Sequence, residues 1–500
     1  MCMIPELQFA ELNEAMQPIV DFMNKCLHEQ KRLDELERGL HERLRDVGLA
    51  LTKKFVEAAG DGDCGPQLER NGRRLKRSKT RHSKKYHSIF GRFEIERCVY
   101  VSREKQAAEY VPTDEALGLP KEEQSYVLED WSQRLTTNQP YDQAREILRE
   151  LVGVEISVRA LETINQRMAE YVLGYWESAP PPAQQTEEEI LAVTADGKGV
   201  PMRTSQEDRL AEELGKKKVV RSPKTNYEKT DKRRGRGSRK SRKQMAYLGA
   251  VYSVASFPRT AEEILNEVQR KEHQAKRPAP KNKRFRAEMN EIRDQGVSYG
   301  QPRLFDWLAE EIRARDPDEK KTIVCLMDGQ KSLWYWKRER LERAIGILDL
   351  FHVLERLWKA AHCFHRESSV EAEQFVAKYL HIMLEGNIGC VVGVFRRFAK
   401  DLRGAKKKEL EGIINFFHRN KQYMRYADYI AAGYPIASGV IEGGCRHVVR
   451  DRMELSGMRW NVVGAQAMLR LRTTKIAGDW KPFVNFRIET EIANLYGQAA

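Results

Sequence analysis

Three apolar runs each end in an aspartate, and this pattern constrains the fold more than any other feature. Ile190-Leu191-Ala192-Val193-Thr194-Ala195 leads into Asp196-Gly197. Thr322-Ile323-Val324-Cys325-Leu326-Met327 leads into Asp328-Gly329, and Ile345-Gly346-Ile347-Leu348 into Asp349. Short apolar runs of this kind read as strands. Helical patterns follow the second run (331–343) and the third (from Leu350). Strand–helix–strand–helix predicts parallel pairing through crossover helices. A further strand, Gln244 to Phe257, is expected to pair antiparallel with the first, the residues between them forming a long hairpin tip. Residues 260–320 and 353–433 read as mostly helical. The fold class expected is mixed α/β.

Strand ends of an open α/β sheet face a common crevice where ligands bind, so Asp196 and Asp328 are candidates for chemistry. Glu442, near a helix start after a loop bearing Pro435 and Gly439, is the third. Three clustered carboxylates repel one another unless cations neutralise them. Hard divalent ions such as Mg²⁺ take such oxygen ligands, and a pair of them activates a water or 3′-hydroxyl against a phosphodiester. A lone strand-end Asp is more often a turn former or helix cap, and Asp349 begins a helix where it could cap. No Walker-type glycine loop accompanies these acids.

The net charge of +14 is concentrated in two places. Lys216–Lys243 holds 14 Lys/Arg against Glu228 and Asp231, and Arg73–Lys85 holds 8 basic residues and no acid. Patches this dense suit a polyanion, so Arg73, Arg74 and Arg77, and Arg233, Arg234, Arg236, Arg239 and Lys240, are candidate DNA contacts. The 8 cysteines form no CxxC pair, which argues against a zinc ribbon and a disulfide framework. The spacing around His362, Cys363 and His365 is helical and reads as core. The N-terminus has no apolar signal core, and the longest weakly apolar stretch, Ala246–Phe257, is short of the roughly 20 residues that span a bilayer. A cytoplasmic, nucleoid-associated protein is expected.

The length of 500 residues suggests about two to four domains. Residues 1–66 are expected to be helical, with Leu27, Leu33, Leu36, Leu40 and Leu44 at helical spacing, as a bundle helix or a dimer seam. Residues 67–112 form a small basic β module whose clearest strand is Ile89–Val101. Residues 113–178 are helical. There Tyr141–Leu151, a turn at Val152–Glu155, and a helix from Val158 capped by Ser157 have the punctuation of a helix-turn-helix, a weak signal because such helix pairs are common. Ala179–Gln185 reads as a linker, and 476–500 as a C-terminal tail.

Four blocks resemble those of DDE transposases of bacterial insertion sequences, most closely the ISKra family, related to the ISL and Mutator-like groups. They are Val193–Val200, Met327-Asp328-Gly329, Leu348–Glu355, and Gly439–His447 continued by Arg450–Met453 and Gly457–Trp460. Asp114–Pro120 also fits. The resemblance implies an RNase H-like catalytic domain over 186–352 and 434–475, with a helical insertion at 353–433. It implies Asp196, Asp328 and Glu442 as catalytic acids holding Mg²⁺ or Mn²⁺, with Asp349 a rival for the second. The partners implied are double-stranded DNA, as terminal inverted repeats and target, and further copies of the chain on that DNA. Lys198, Lys331, Arg446 and Arg450 are then candidate phosphate contacts. Arg446 and Arg450 would share a helical face with Glu442, or pair with Asp451 and Glu454. Trp334 and Trp460 could stack on a base or fill the core. The chain departs from the family in one respect: Cys98 has no partner cysteine before the Pro120 block, so no zinc module is expected. A nuclease without joining, and an inactive DNA-binding descendant, remain alternatives.

Overall fold

The computed structural model describes residues 9–103, 108–203, 243–269, 277–293 and 296–497. They fall into two compact units, Met1–Tyr175 with Trp480–Ala500, and Trp176–Asp479.

The first unit opens with a helical hairpin, α1 (Phe9–His28) and α2 (Leu33–Ala59). Strands β1 (Gln67–Arg70) and β2 (Arg73–Arg77) pair antiparallel, with Arg70 opposite Arg73. Asn71 and Gly72 close that hairpin at φ +52° and +70°, the left-handed pair that a two-residue type I′ turn requires. The strand expected over Ile89–Val101 is instead split. β3 (His82–Ser88) turns through Ile89-Phe90 into β4 (Gly91–Arg97), and β5 is only Tyr100–Val101. The cause is local: the Ser88 hydroxyl accepts the Phe90 N–H at 3.1 Å, and Gly91 takes φ +143°. Leu49 and Val56 of α2 pack with Phe93, Ile95 and Leu119.

Helices α3 (Pro112–Ala116), α4 (Tyr126–Thr136), α5 (Tyr141–Ile147) and α6 (Val158–Ser178) follow. A π-turn over Leu148–Val152 ends in Gly153 at φ +69°, and Ser157 accepts the Ala160 N–H at 3.1 Å. The expected helix–turn–helix punctuation is present in these elements. The expected C-terminal tail is not one. Trp480–Tyr496 is a helix of this unit, its buried Arg487 held by Glu129 of α4 and Glu491.

The second unit is built on a five-stranded sheet. Its strands are β6 (Ile190–Pro201), β7 (Lys243–Val254), β8 (Lys281–Met289), β11 (Thr322–Met327) and β12 (Ile345–Leu348). Their order is β12-β11-β6-β7-β8. β6 pairs with β7 along its whole length, from Ile190 opposite Val254 to Pro201 opposite Lys243. β7–β8 is antiparallel too, and β6, β11 and β12 run parallel. A small hairpin, β9 (Glu291–Arg293) and β10 (Gly296–Ser298), follows β8. The fold class is mixed α/β with a mixed sheet.

The mostly helical reading of 260–320 needs correction. Among the described residues there, only α7 (Ala261–Val268) and α8 (Gly300–Arg315) are helical, and β8 is a strand. Its sequence, KNKRFRAEM, hides the alternation because an edge strand exposes basic side chains. Phe285, Ala287 and Met289 are the buried apolar members. The edge is closed by Gln466, which accepts the Met289 N–H at 2.8 Å and donates to the Ala287 carbonyl at 2.9 Å. Edge strands left open invite pairing with other chains.

Helix α9 (Lys331–Arg340) crosses from β11 to β12. Then α10 (Leu350–Ala361), α11 (Val370–Leu384), α12 (Ile388–Asp401), α13 (Gly404–Asn420) and α14 (Tyr426–Ala431) fill the stretch expected as an insertion. Their apolar residues, among them Leu357, Leu380, Phe395 and Phe417, share one continuous core with Val193, Leu326 and Ile347 of the sheet. The linker residues also belong here: Pro180 O accepts from Arg284 at 2.5 Å and Gln184 donates to Arg315 O at 3.0 Å. No helix is long and apolar enough to cross a membrane among the described residues.

Candidate active site

Strand register sets three acids side by side. Met327 of β11 pairs with Ala195 of β6 on one side and Leu348 of β12 on the other. The next residue on each strand path is Asp328, Asp196 and Asp349; the strand end expected at Asp196 is not there, because β6 continues to Pro201 against β7. Adjacent strands lie about 4.8 Å apart, so the three backbones form one row with Asp328 in the middle.

The side chains are held differently. Asp196 is half-buried. It accepts the Gly197 N–H at 2.6 Å through Oδ1 and the Cys445 thiol at 3.3 Å through Oδ2. Asp328 accepts the Gln330 N–H at 2.8 Å through Oδ1. Asp349 is buried, and backbone groups occupy both its oxygens. Phe351 N–H donates to Oδ1 at 2.8 Å, as a cap on α10, and Ser438 N–H donates to Oδ2 at 2.7 Å. Ser438 in turn caps α15 (Gly439–Gly444), the helix that carries Glu442, accepting the Ile441 N–H at 3.3 Å. Asp349 thus ties the third strand end to the helix of the fourth acid.

Electrostatics show that the four acids sense one another. Burial raises the Asp328 carboxyl, and the Asp196 charge adds to it while His352 and Arg356 oppose it. Burial likewise raises Asp349. Glu442 is pushed up to about 7 by desolvation, then by the charges of Asp349 and Asp196. Cys445 is raised by burial and by Asp196. Oxygen-only donors that destabilise each other's ionised forms suit a hard divalent cation, whose charge reverses the repulsion. Among the described residues, no three His, Cys, Asp or Glu side chains converge into a ready metal cage. The fit therefore lies in donor chemistry and backbone register.

Stability should report this cluster. Folding raises the Glu442 pKa, so its contribution is complete below the unfolded value near pH 4 and is lost as pH rises through about 7. In chelator, Glu442→Gln is expected to melt with wild type at pH 4 and to be more stable at pH 8 by about 1 kcal/mol, a figure discounted for the exposure of Glu442. Thermal melts across pH check this. A variant less stable than wild type at pH 8 would contradict the electrostatic account.

The helix after Glu442 is not regular. A π-turn spans Cys445–Arg450 before α16 (Asp451–Met453). The i→i+5 bonding of that turn widens its spacing beyond four residues per turn, and Glu442, Arg446 and Arg450, four apart, are all exposed. The carbonyls of His447 and Val448 receive the buried Arg472 guanidinium from α17 (Val462–Ile476), with Nε to Val448 O at 2.7 Å. Arg446 and Arg450 are both exposed, and Arg446 lies 3.8 Å from Asp451. Lys198 stands two residues beyond Asp196 on the same strand face, half-buried, and Lys331 is exposed at the start of α9. Both tryptophans are core residues. Trp334 stacks on Tyr423 at 3.7 Å between centroids, and Trp460 is buried with its indole N–H donating to Met453 O.

Of the basic candidates, Arg73 and Arg74 are exposed on β2, while Arg77 is ion-paired with Asp63. Arg233, Arg234, Arg236, Arg239 and Lys240 lie outside the described residues. A reading of charge in two patches misses a third. Arg396, Arg397, Lys400, Arg403, Lys406, Lys407 and Lys408 face a single acid, Asp401, where α12 meets α13. Six of these seven are exposed, and none forms an ion pair among the described residues. The charge count alone would have found this run, but its helical periodicity draws attention to packing. Comparison of the chain with protein-family models and with curated proteins finds no match.

Proposed function

We propose that this protein is a DDE-type transposase that cuts and joins DNA at the ends of a mobile element. The observation that carries the reading is Asp196, placed inside β6 where its parallel pairing with β11 stops, beside Asp328 just past the end of β11, with Glu442 electrically coupled to the same cluster. An RNase H-like assignment accounts for the sheet: three antiparallel strands in succession, then two parallel ones added beyond the first. The free basic run on α12–α13 and the exposed Arg73 and Arg74 supply cationic surface for a phosphate backbone.

In this reading Asp196, Asp328 and Glu442 hold Mg²⁺ or Mn²⁺. Such ions supply Lewis acidity and lower the pKa of a water or 3′-hydroxyl nucleophile. The chain's own groups set the geometry. Gly197 N–H and the Cys445 thiol fix the Asp196 carboxylate, Gln330 N–H fixes Asp328, and Asp349 anchors the Glu442 helix through Ser438. Lys198, Lys331, Arg446 and Arg450 stand near the row or on the Glu442 helix, where guanidinium and ammonium groups hold phosphate oxygens.

One observation favours a second reading, a DNA-binding protein that has lost catalysis: the acids do not form a ready cage. Strand cleavage and joining on labelled DNA carrying the element's ends, with and without Mg²⁺, separates the two. Wild type is expected to give metal-dependent products, and Glu442→Gln to lose them while still binding DNA. Binding without products from wild type would favour the second reading.

A further inference from the structure

Among the described residues, the α1–α2 hairpin carries an apolar face left exposed along Met16–Leu27 and Leu33–Leu44, up to where Phe90 of the β3–β4 turn lies against Gly48. Its inner contacts are clear: Phe22 lies against Gly39 and beneath the Arg43 guanidinium at 3.7 Å, and Ile19 and Cys26 are buried. A quarter-turn around α1 from that inner line, Met16, Val20, Met23 and Leu27 are exposed. Their 4-3-4 spacing is that of a coiled-coil seam. A quarter-turn around α2, Leu33, Leu44 and Phe55 are exposed at intervals of 11 residues, which on a helix returns almost to the same line.

Handedness decides whether the two stripes meet. Both lie about 100° past their helix's inner line in the sense of increasing residue number, by the 3.6-residue period. In parallel helices equal offsets fall on opposite sides of the pair. In an antiparallel hairpin the sense of one helix is reversed, so both fall on the same side. The short link from His28 to Leu33, with Phe22 set against Gly39, makes this pair antiparallel. Met16, Val20, Met23, Leu27, Leu33 and Leu44 therefore form one face, and Phe55 lies beyond it, past the contact of Phe90 with Gly48.

We propose that this face receives the same face of a second copy of the chain, closing a four-helix bundle. The exposed portions of these six side chains amount to roughly 600 Å² per copy, about three quarters of the ~800 Å² per partner of a stable interface, and at the top of the range of apolar patches that monomers expose. The α1 stripe holds no charged side chain, so it offers nothing to a polyanion, and a heptad seam takes another helix into its holes. The inference does not rest on the strand-transfer reading.

The test is sedimentation of the full-length, nuclease-treated protein in high salt across a concentration series, where nucleic acid cannot bridge copies. Wild type is expected to sediment at twice the chain mass at micromolar concentration. Leu27→Glu with Leu44→Glu is expected to weaken self-association at least about 100-fold while keeping the wild-type circular dichroism. Should that pair disturb folding, Leu27→Ala with Leu44→Ala decides, because it removes contact area at exposed positions without placing charge, and is expected to shift the protein towards monomer. A wild type that stays monomeric, one that associates only after DNA is added, or a folded variant that sediments like wild type would each overturn the proposal.

Discussion

Asp328→Asn is expected to lower DNA strand cleavage about 10³-fold or more, the several kcal/mol that a metal-held carboxylate contributes to a phosphoryl-transfer barrier. It should do so without loss of stability, since burial already disfavours the ionised Asp328. Asp349→Asn has a different expected outcome. Both Asp349 oxygens accept backbone N–H groups, and an amide offers one acceptor and turns its NH₂ toward a donor. About 1–3 kcal/mol of stability should be lost, with a fall in activity that follows the displaced Glu442 helix. Cleavage assays paired with melting curves read both effects. An active Asp328→Asn beside a stable but inactive Asp349→Asn would exchange the two roles.

The second large effect lies far from the acids. Glu129 is fully buried between Arg167 and Arg487, and Arg487 also reaches Glu491 at 2.9 Å. Two positive and two negative charges lie buried together there, Glu122 adds a more exposed carboxylate 3.8 Å from Arg167, and the Tyr126 and Tyr171 rings lie near the Arg487 guanidinium. Removing one partner leaves a buried charge without compensation, which costs about 3–5 kcal/mol. Glu129→Gln and Arg487→Met are each expected to lower the melting temperature of the first unit by about 10 °C. The double variant should be less destabilised than the sum of the singles by more than about 1 kcal/mol. Calorimetry of the four proteins gives that cycle, and simple additivity would mean the charges do not act as a set.

What the sequence disclosed follows from how each element is buried. β6, β11 and β12 were legible because their apolar residues run without interruption, and the Asp328-Gly329 step marked where β11 ends; Asp196-Gly197 did not mark an end, since β6 runs on to Pro201 against β7. Residues 243–254 were legible as the antiparallel neighbour of β6. β8 was not, because its exposed edge is basic and reads as a charged helix. The helix Trp480–Tyr496 was read as a tail because its buried residues include Arg487 and Glu491, which look like surface until their partners on α4 are known. At the site, Asp196, Asp328 and Asp349 were visible as acids at the ends of apolar runs, and Glu442 as an acid near a helix start. The division of labour between Asp328 and Asp349 was not. It depends on backbone N–H groups, one of them at Ser438, 89 residues away. The π-turn after Glu442 was equally hidden, since it is stabilised by Arg472 from another helix.

The return of the C-terminal helix to the first unit reverses the usual order of birth. Ribosomes make chain at roughly 5–20 residues per second, and N-terminal domains ordinarily fold first. Here the residues up to Tyr175 wait for Trp480–Tyr496, roughly 300 residues later, a delay of about 15–60 s at those rates. Throughout that interval Glu129 lacks Arg487. The unit made first is thus the last to be completed, and a premature stop anywhere in the second half of the message disables both ends of the protein at once.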